Sequence, residues 1–408
     1  MKKILIILTL LTFILNSCQK SDKLIIDGIT FDYQAELQKI VDTHWDDFVD
    51  GRDEIPGGYA LQILSPAGNY FVSTGDLINA TNQTHFRAAS VTKTFTAAAV
   101  VLLHQQKKLS INHFLTDTIP GTSITYLPES DEFDIPFKDK ITIKMLLQHR
   151  SGMWDVINQD IPDNVNQPYA GMRYVDYVMD ILGEPEHTFT TTEMVKVVAD
   201  NQLFNTPPDE GFHYSNTGMS ILGFIIERIS GMRYDQFVKE KLLIPNGLNN
   251  TTFPYLGNDQ TIPSPYADSY AYIDGEILNF TVQNASQNVA EGNVITTPED
   301  LSKWITNLYS GNAGIDYKYV KFLMMDCLPT YESHQNYGLG TVYTPALGYG
   351  HNGGKIGFFT STRYDPETEI TYVIYTNVWD FDAFSFDLYT QMTNLYGVVY
   401  AAKDILKQ

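Results

Sequence analysis

Ser90 and Lys93 stand three positions apart in Ser90-Val91-Thr92-Lys93, at the head of a long run of small and apolar residues. On a helix that spacing puts both side chains on one face, close enough for the amine to take the proton of the hydroxyl. Burial and the positive end of the helix dipole would both disfavour an ammonium, so the spacing predicts a Lys93 shifted toward its neutral form. An activated serine of this kind attacks amides and esters. The four-residue pattern alone is weak, because Ser17-Cys18-Gln19-Lys20 repeats it.

Two later groups make the set specific by their order. Tyr214-Ser215-Asn216 offers a phenol to relay protons and an amide to orient a substrate, and Asn216 could also cap the helix that begins near Thr217. Tyr375-Thr376-Asn377 has the same form, but it follows the glycine run and lies in a strand-like stretch. The glycine run, Gly350-His351-Asn352-Gly353-Gly354-Lys355-Ile356-Gly357, is not a phosphate loop, for no Gly-x4-Gly-Lys-[Ser/Thr] match exists and a strand follows it. Its glycines would let a substrate backbone approach. The main-chain N–H groups of Ser90 and Gly354 would then form an oxyanion hole, worth about 3 kcal/mol per donor in comparable sites.

The elements that must hold these groups are legible in the periodicity. Tyr59, Leu61 and Ile63 alternate in a strand that turns at Pro66-Ala67-Gly68 into a second, giving a hairpin before Ser90. Thr92 to Leu103 reads as a buried helix, Thr142 to His149 as a second, Gly218 to Ile229 as a third, and Thr297-Pro298-Glu299-Asp300 as the capped start of a fourth. Asp155 to Gly211 is polar and rich in Asp, Asn and Pro, with one helix near Thr192 to Asp200, and reads as the rim of a cleft. Gly357 to Tyr364 and Glu369 to Asn377 form an antiparallel pair, and a helix from about Phe384 to Leu406 closes the chain. Strands at both ends with helices between predict an α/β (α+β) fold, an antiparallel sheet flanked by helices with an inserted all-helical lobe. The expected boundaries are 1–17 for a signal peptide, 18–35 for a lipidated N-terminus and tether, 36–115 with 285–408 for the sheet lobe, and 116–284 for the helical lobe and cleft rim.

Composition narrows the partners. A chain of 408 residues with net charge −21 lacks the basic surface that nucleic acid requires. Met1-Lys2-Lys3, the apolar run Ile4 to Leu15 and Leu15-Asn16-Ser17-Cys18 have the form of an export signal too short to span a bilayer. That segment resembles a bacterial lipoprotein box with Cys18 as the lipid-bearing residue, which implies an exported, envelope-located protein held to a membrane by its lipid. Cys327 would then be unpaired and is most simply a core residue. With no C-x-x-C or H-E-x-x-H motif, neither a metal nor any other cofactor is expected.

Taken together, the ordered motifs resemble those of the serine β-lactamase and penicillin-binding-protein superfamily, in the branch of class C β-lactamases, D-alanyl-D-alanine carboxypeptidases and related esterases. The likeness runs from about Glu36 to Lys407 and includes Leu146-Leu147-Gln148-His149-Arg150-Ser151-Gly152 and Glu291-Gly292-Asn293-Val294-Ile295-Thr296-Thr297-Pro298. It implies Ser90 as the acylated nucleophile, Lys93 and Tyr214 as its proton-transfer partners, Asn216 as a contact to the substrate amide, and His351, Asn352 and Gly353 along the cleft. Histidine at position 351, where a class C enzyme typically has lysine, points to a carboxypeptidase-like activity ahead of an esterase or a β-lactamase, since neutral imidazole anchors a carboxylate less firmly. A sensor that is acylated without turnover is the alternative of another class. His149 is expected to be structural, and Lys355 a charge at the edge of the cleft.

Overall fold

The computed structural model describes residues 23–26, 29–50, 55–331, 335–382 and 388–407. The export signal and Cys18 lie outside the described residues. Within the stretch read as a tether, Lys23–Ile26 and Ile29–Asp32 pair as a short antiparallel hairpin.

An eight-stranded sheet organises the chain. Its order across the sheet is Gly68–Ser73, Tyr59–Ser65, Ile370–Thr376, Phe358–Asp365, Gly348–Lys355, Val342–Thr344, Asn336–Tyr337 and Leu328–Pro329. All seven pairings are antiparallel, and the hairpin of Tyr59–Ser65 and Gly68–Ser73 docks on the last long strand, Ile370–Thr376. Strands Phe358–Asp365 and Ile370–Thr376 are buried along their whole length, as central strands covered on both faces must be.

One face carries the helices Tyr33–Val49 and Leu388–Leu406, with Leu37, Val41, Trp45, Leu395 and Val398 packed on Leu61, Ile63 and Ile374. The other face carries Pro298–Ser310, whose cap is the one read from sequence: Thr297 Oγ1 accepts from the Asp300 N–H at 3.3 Å. A single apolar core runs from this face through the helices Thr92–Gln105, Thr191–Asp200 and Asn216–Ser230, from Val91 and Phe95 to Ile225 and Trp304. The helical segment therefore shares its core with the sheet rather than closing on itself.

Two turns aim the chemistry. Strand Phe86–Ala89 pairs with Val294–Thr296 through a bulge, and Ala89 has φ +49°, a left-handed conformation that costs a non-glycine residue energy. The chain turns sharply there, presents Ser90, and enters helix Thr92–Gln105 two residues later. The helix Ile143–Leu147 ends in a second such turn with His149 at φ +53° and Gly152 at φ +67°, where a Cβ on Gly152 would sit 1.7 Å from the Thr206 carbonyl oxygen.

Candidate active site

Every residue of helix Thr92–Gln105 from Thr92 to Leu103 is buried, Lys93 completely so. Its ammonium is held by four oxygens: Ser90 Oγ at 2.9 Å, Asn216 Oδ1 at 2.7 Å, the Glu291 carbonyl at 2.8 Å and Glu291 Oε2 at 3.2 Å. Ser90 itself is half-buried. The Tyr214 ring packs against the same ammonium, with Nζ 4.9 Å from the ring centroid. The three expected reacting groups thus meet in one place.

The electrostatics differ from the expectation for Lys93. Burial alone would depress its pKa, but the oxygen of Tyr214, once ionised, and the buried Glu291 carboxylate outweigh burial and raise it above the ordinary lysine value. Tyr214 is raised too, by burial first, with its hydrogen bonds to Lys93 and Ser90 working the other way. The resting pair is an ammonium beside a phenol, not the neutral amine predicted from burial. The two titrate together, and the first proton lost belongs to the pair.

Glu291 and Asp155 are the site residues that motif reading missed. Glu291 is fixed on both sides, since Asn288 Nδ2 donates to its Oε1 at 2.5 Å while Oε2 faces Lys93. Asp155 accepts from Asn216 Nδ2 at 3.2 Å and from Asn158 Nδ2 at 3.0 Å, and burial followed by repulsion from Glu291 lifts it to about 6. Asn216 bridges the ammonium and this second carboxylate, which fixes its amide with oxygen toward Lys93 and nitrogen toward Asp155. It does not cap its helix. Ser215 does, accepting from the Gly218 N–H at 3.3 Å.

Strand Gly348–Lys355 forms one wall. Its pairing with Val342–Thr344 stops at Gly350, so from His351 onward one edge has no strand partner among the described residues. Strand alternation puts His351, Gly353 and Lys355 on one face and Asn352 and Gly354 on the other. Gly353 lies against the chain leading to Ser90, where a Cβ would be 2.1 Å from the Ala88 oxygen. Asn352 was expected to contact substrate, but alternation turns its side chain to the opposite face. There its Nδ2 donates to Tyr396 Oη at 2.6 Å and its Oδ1 accepts from Arg363 at 2.9 Å.

His351 is occupied as well. Its Nδ1 lies 2.5 Å from the Asn352 carbonyl and so carries the proton, which leaves Nε2 to accept from Tyr337 Oη at 2.8 Å. Tyr337 Oη in turn lies 3.1 Å from His149 Nε2, and His149 Nδ1 accepts from the Ser215 N–H. Each tautomer in the chain from His149 through Tyr337 to His351 is determined by its neighbour. Both rings are neutral: burial, with Lys93 adding to it, brings His351 down to about 3 and His149 well below its usual range. His149 has the structural role expected of it, and His351 is no cationic anchor.

Similarity to known proteins agrees with this geometry. The family described as Beta-lactamase matches residues 45–394. Protein flp of Staphylococcus aureus (strain MW2) is 26% identical over 68% of this chain and 49% of its own length, and penicillin-binding protein 4* of Bacillus subtilis (strain 168) is 28% identical over 46% of this chain and 34% of its own. The chain thus spans about half or less of the curated relatives it matches. Among solved structures, the D-amino acid amidase of Ochrobactrum anthropi SV3 superposes with a TM-score of 0.71 at 23% identity, covering 92% of this chain and 99% of that one. The D-stereospecific amidohydrolase of a Streptomyces species gives 0.69 at 21%, covering 85% and 94%. With the match extending over most of its length and the Ser90–Lys93–Tyr214 constellation in one buried site, this chain belongs to the beta-lactamase family of serine hydrolases.

Proposed function

We propose that the protein hydrolyses amide bonds next to D-configured residues through an acyl-Ser90 intermediate, in the manner of a D-alanyl-D-alanine carboxypeptidase. The observation that carries this is the Ser90 Oγ to Lys93 Nζ contact of 2.9 Å inside a buried network that also holds Tyr214. Lys93, saturated by its four oxygens, remains an ammonium. The proton of Ser90 therefore passes to the Tyr214 oxygen, ionised when the pair loses its first proton, and Tyr214 returns it to the leaving amine. Backbone N–H groups of Ser90 and Gly354 stabilise the oxyanion, and water then releases the acyl group.

The neutral, doubly engaged His351 weighs against a β-lactamase, whose carboxylate-bearing substrate wants a cation at that position. The solved relatives with a similar fold that carry D-amino acid amidase and D-stereospecific amidohydrolase names support the D preference. The sequence Met1 to Cys18 supports export and attachment to the cell envelope through a lipid on Cys18. The test is hydrolysis of peptide pairs ending in D-alanyl-D-alanine and D-alanyl-L-alanine, followed by amine release. The reading expects the first to be cleaved at least about tenfold faster, and equal rates or an L preference would refute it.

A further inference from the structure

Two cations beside the site, the half-buried Lys355 and the buried Arg87, have no acidic partner. Lys355 Nζ has a neutral partner, Asn288 Oδ1 at 2.5 Å, and Arg87, 3% exposed, donates to the carbonyls of Gln260 and Thr281 while its Nε meets nothing. Among the described residues neither forms an ion pair, whereas the buried Lys93 and Lys403 pair with Glu291 and Asp365, and the buried Arg363, also without an acid, has its donors taken up by Thr344, Asn352, Tyr396 and the Thr362 carbonyl. With 48 carboxylates in the chain the lack is not one of supply. Charge withdrawn from water without an acidic partner is costly, and an anion from outside would offset that cost.

Position says which anion. Gly353 lies against the residues that lead into Ser90, and His351 and Lys355 flank it on the same strand face, each two residues or about 6.6 Å away. The His351 side is the Tyr214 side: Tyr214, His149, Tyr337 and His351 pack ring on ring there beside Lys93, and Arg363, the other cation acting on His351, is taken up on the opposite strand face by Asn352 and Tyr396. On the proposed mechanism Tyr214 protonates the leaving group, so the leaving group occupies that side and the acyl group the other. We propose that Lys355, backed by Arg87, binds a carboxylate carried by the acyl portion of the substrate. The substrate class is then an amide or ester of an acidic acyl group, and the acid stays on the enzyme in the acyl intermediate.

This rests on the role given to Tyr214 above. The charges around Lys355 agree with it: burial, Arg87 and Arg173 bring the lysine down to about 8, opposed by Glu291, and a bound carboxylate would relieve that stress. Arg173 is itself held by Asp176 through two hydrogen bonds, which leaves Lys355 as the cation free to meet a ligand.

The experiment compares mono-p-nitrophenyl glutarate with p-nitrophenyl valerate, equal in chain length and different in charge, after subtraction of the spontaneous rates. In the wild type kcat/KM should favour the glutarate by roughly 10- to 100-fold, the scale of one hydrogen bond to a charged group. Lys355→Met should bring the ratio close to one, chiefly through KM, and Lys355→Arg should keep most of it. A ratio near one in the wild type, or a Lys355→Met variant that slows both esters alike, would overturn the proposal. The hydrolase reading fails separately, if the wild type cleaves neither ester and a fluorophosphonate leaves Ser90 unlabelled. In that event thermal stabilisation by free glutarate decides: present in wild type and lost in Lys355→Met supports the anion site, and absent in both refutes it.

Discussion

Replacing Glu291 by glutamine should move the pH dependence of the reaction, because its carboxylate is what holds the proton on the Lys93–Tyr214 pair. At 3.2 Å from Nζ, and with an effective dielectric of about 20, the attraction is about 5 kcal/mol. At 1.36 kcal/mol per pH unit that corresponds to about 4 units as a ceiling. Glutamine has one oxygen for two donors, Lys93 Nζ and Asn288 Nδ2, and turned toward the ammonium it retains part of the attraction at the expense of the Asn288 contact, so a fall of about one to three units is expected. The assay is kcat/KM for a p-nitrophenyl ester from pH 5 to 10. The wild type should still be gaining activity above pH 8, since both members of the pair are raised. In Glu291→Gln the inflection should lie lower by the stated amount, even if the plateau is reduced. An inflection that stays in place or moves upward would show that Glu291 does not control the pair.

Three further outcomes follow from the same network. Tyr337→Phe leaves His149 Nε2 and His351 Nε2 buried without partners and should cost about 1 to 3 kcal/mol for each in urea unfolding at pH 7.5; an unchanged midpoint would remove the chain of determined tautomers. Asp155 has a folded pKa of about 6 against an ordinary 3.8, so its contribution to stability is intact below the lower value and lost as pH rises through the upper. Relative to Asp155→Asn the wild type should therefore lose about 3 kcal/mol between pH 3.5 and 7.5, and a constant difference would contradict the assignment. Gly353→Ala should reduce kcat/KM by about 100-fold or more, because its Cβ meets the Ala88 oxygen at 2.1 Å, while Gly354→Ala, whose nearest neighbour is a ring carbon at 3.3 Å, should retain most activity. Equal losses would place the two glycines wrongly.

The reacting groups were legible because their chemistry is local. Ser90 and Lys93 sit one helical turn apart, and the glycine run marks a strand edge open to approach. The hairpin before Ser90, the capped helix at Pro298 and the final antiparallel pair were likewise set by period and turn residues. The charge state of Lys93 was not legible, since it depends on Glu291, 198 positions away, brought in by the pairing of Val294–Thr296 with the strand before Ser90. Glu291 lay in plain view within Glu291-Gly292-Asn293 and could have been singled out as an acid ahead of a buried strand. His351 looked like a cleft residue because nothing in its own motif announces Tyr337. Asn352 could have been corrected from sequence alone: neighbours in a strand face opposite ways, so His351 and Asn352 cannot both line one cleft.

The central claim is that Ser90 forms a covalent acyl intermediate. Intact mass of the protein, wild type and Ser90→Ala, after exposure to penicillin and to a fluorophosphonate tests it most directly. The account predicts one phosphonyl adduct on the wild type, a slower-forming penicilloyl adduct that decays with time, and no addition to Ser90→Ala. Labelling of both proteins alike, or of neither, would contradict it.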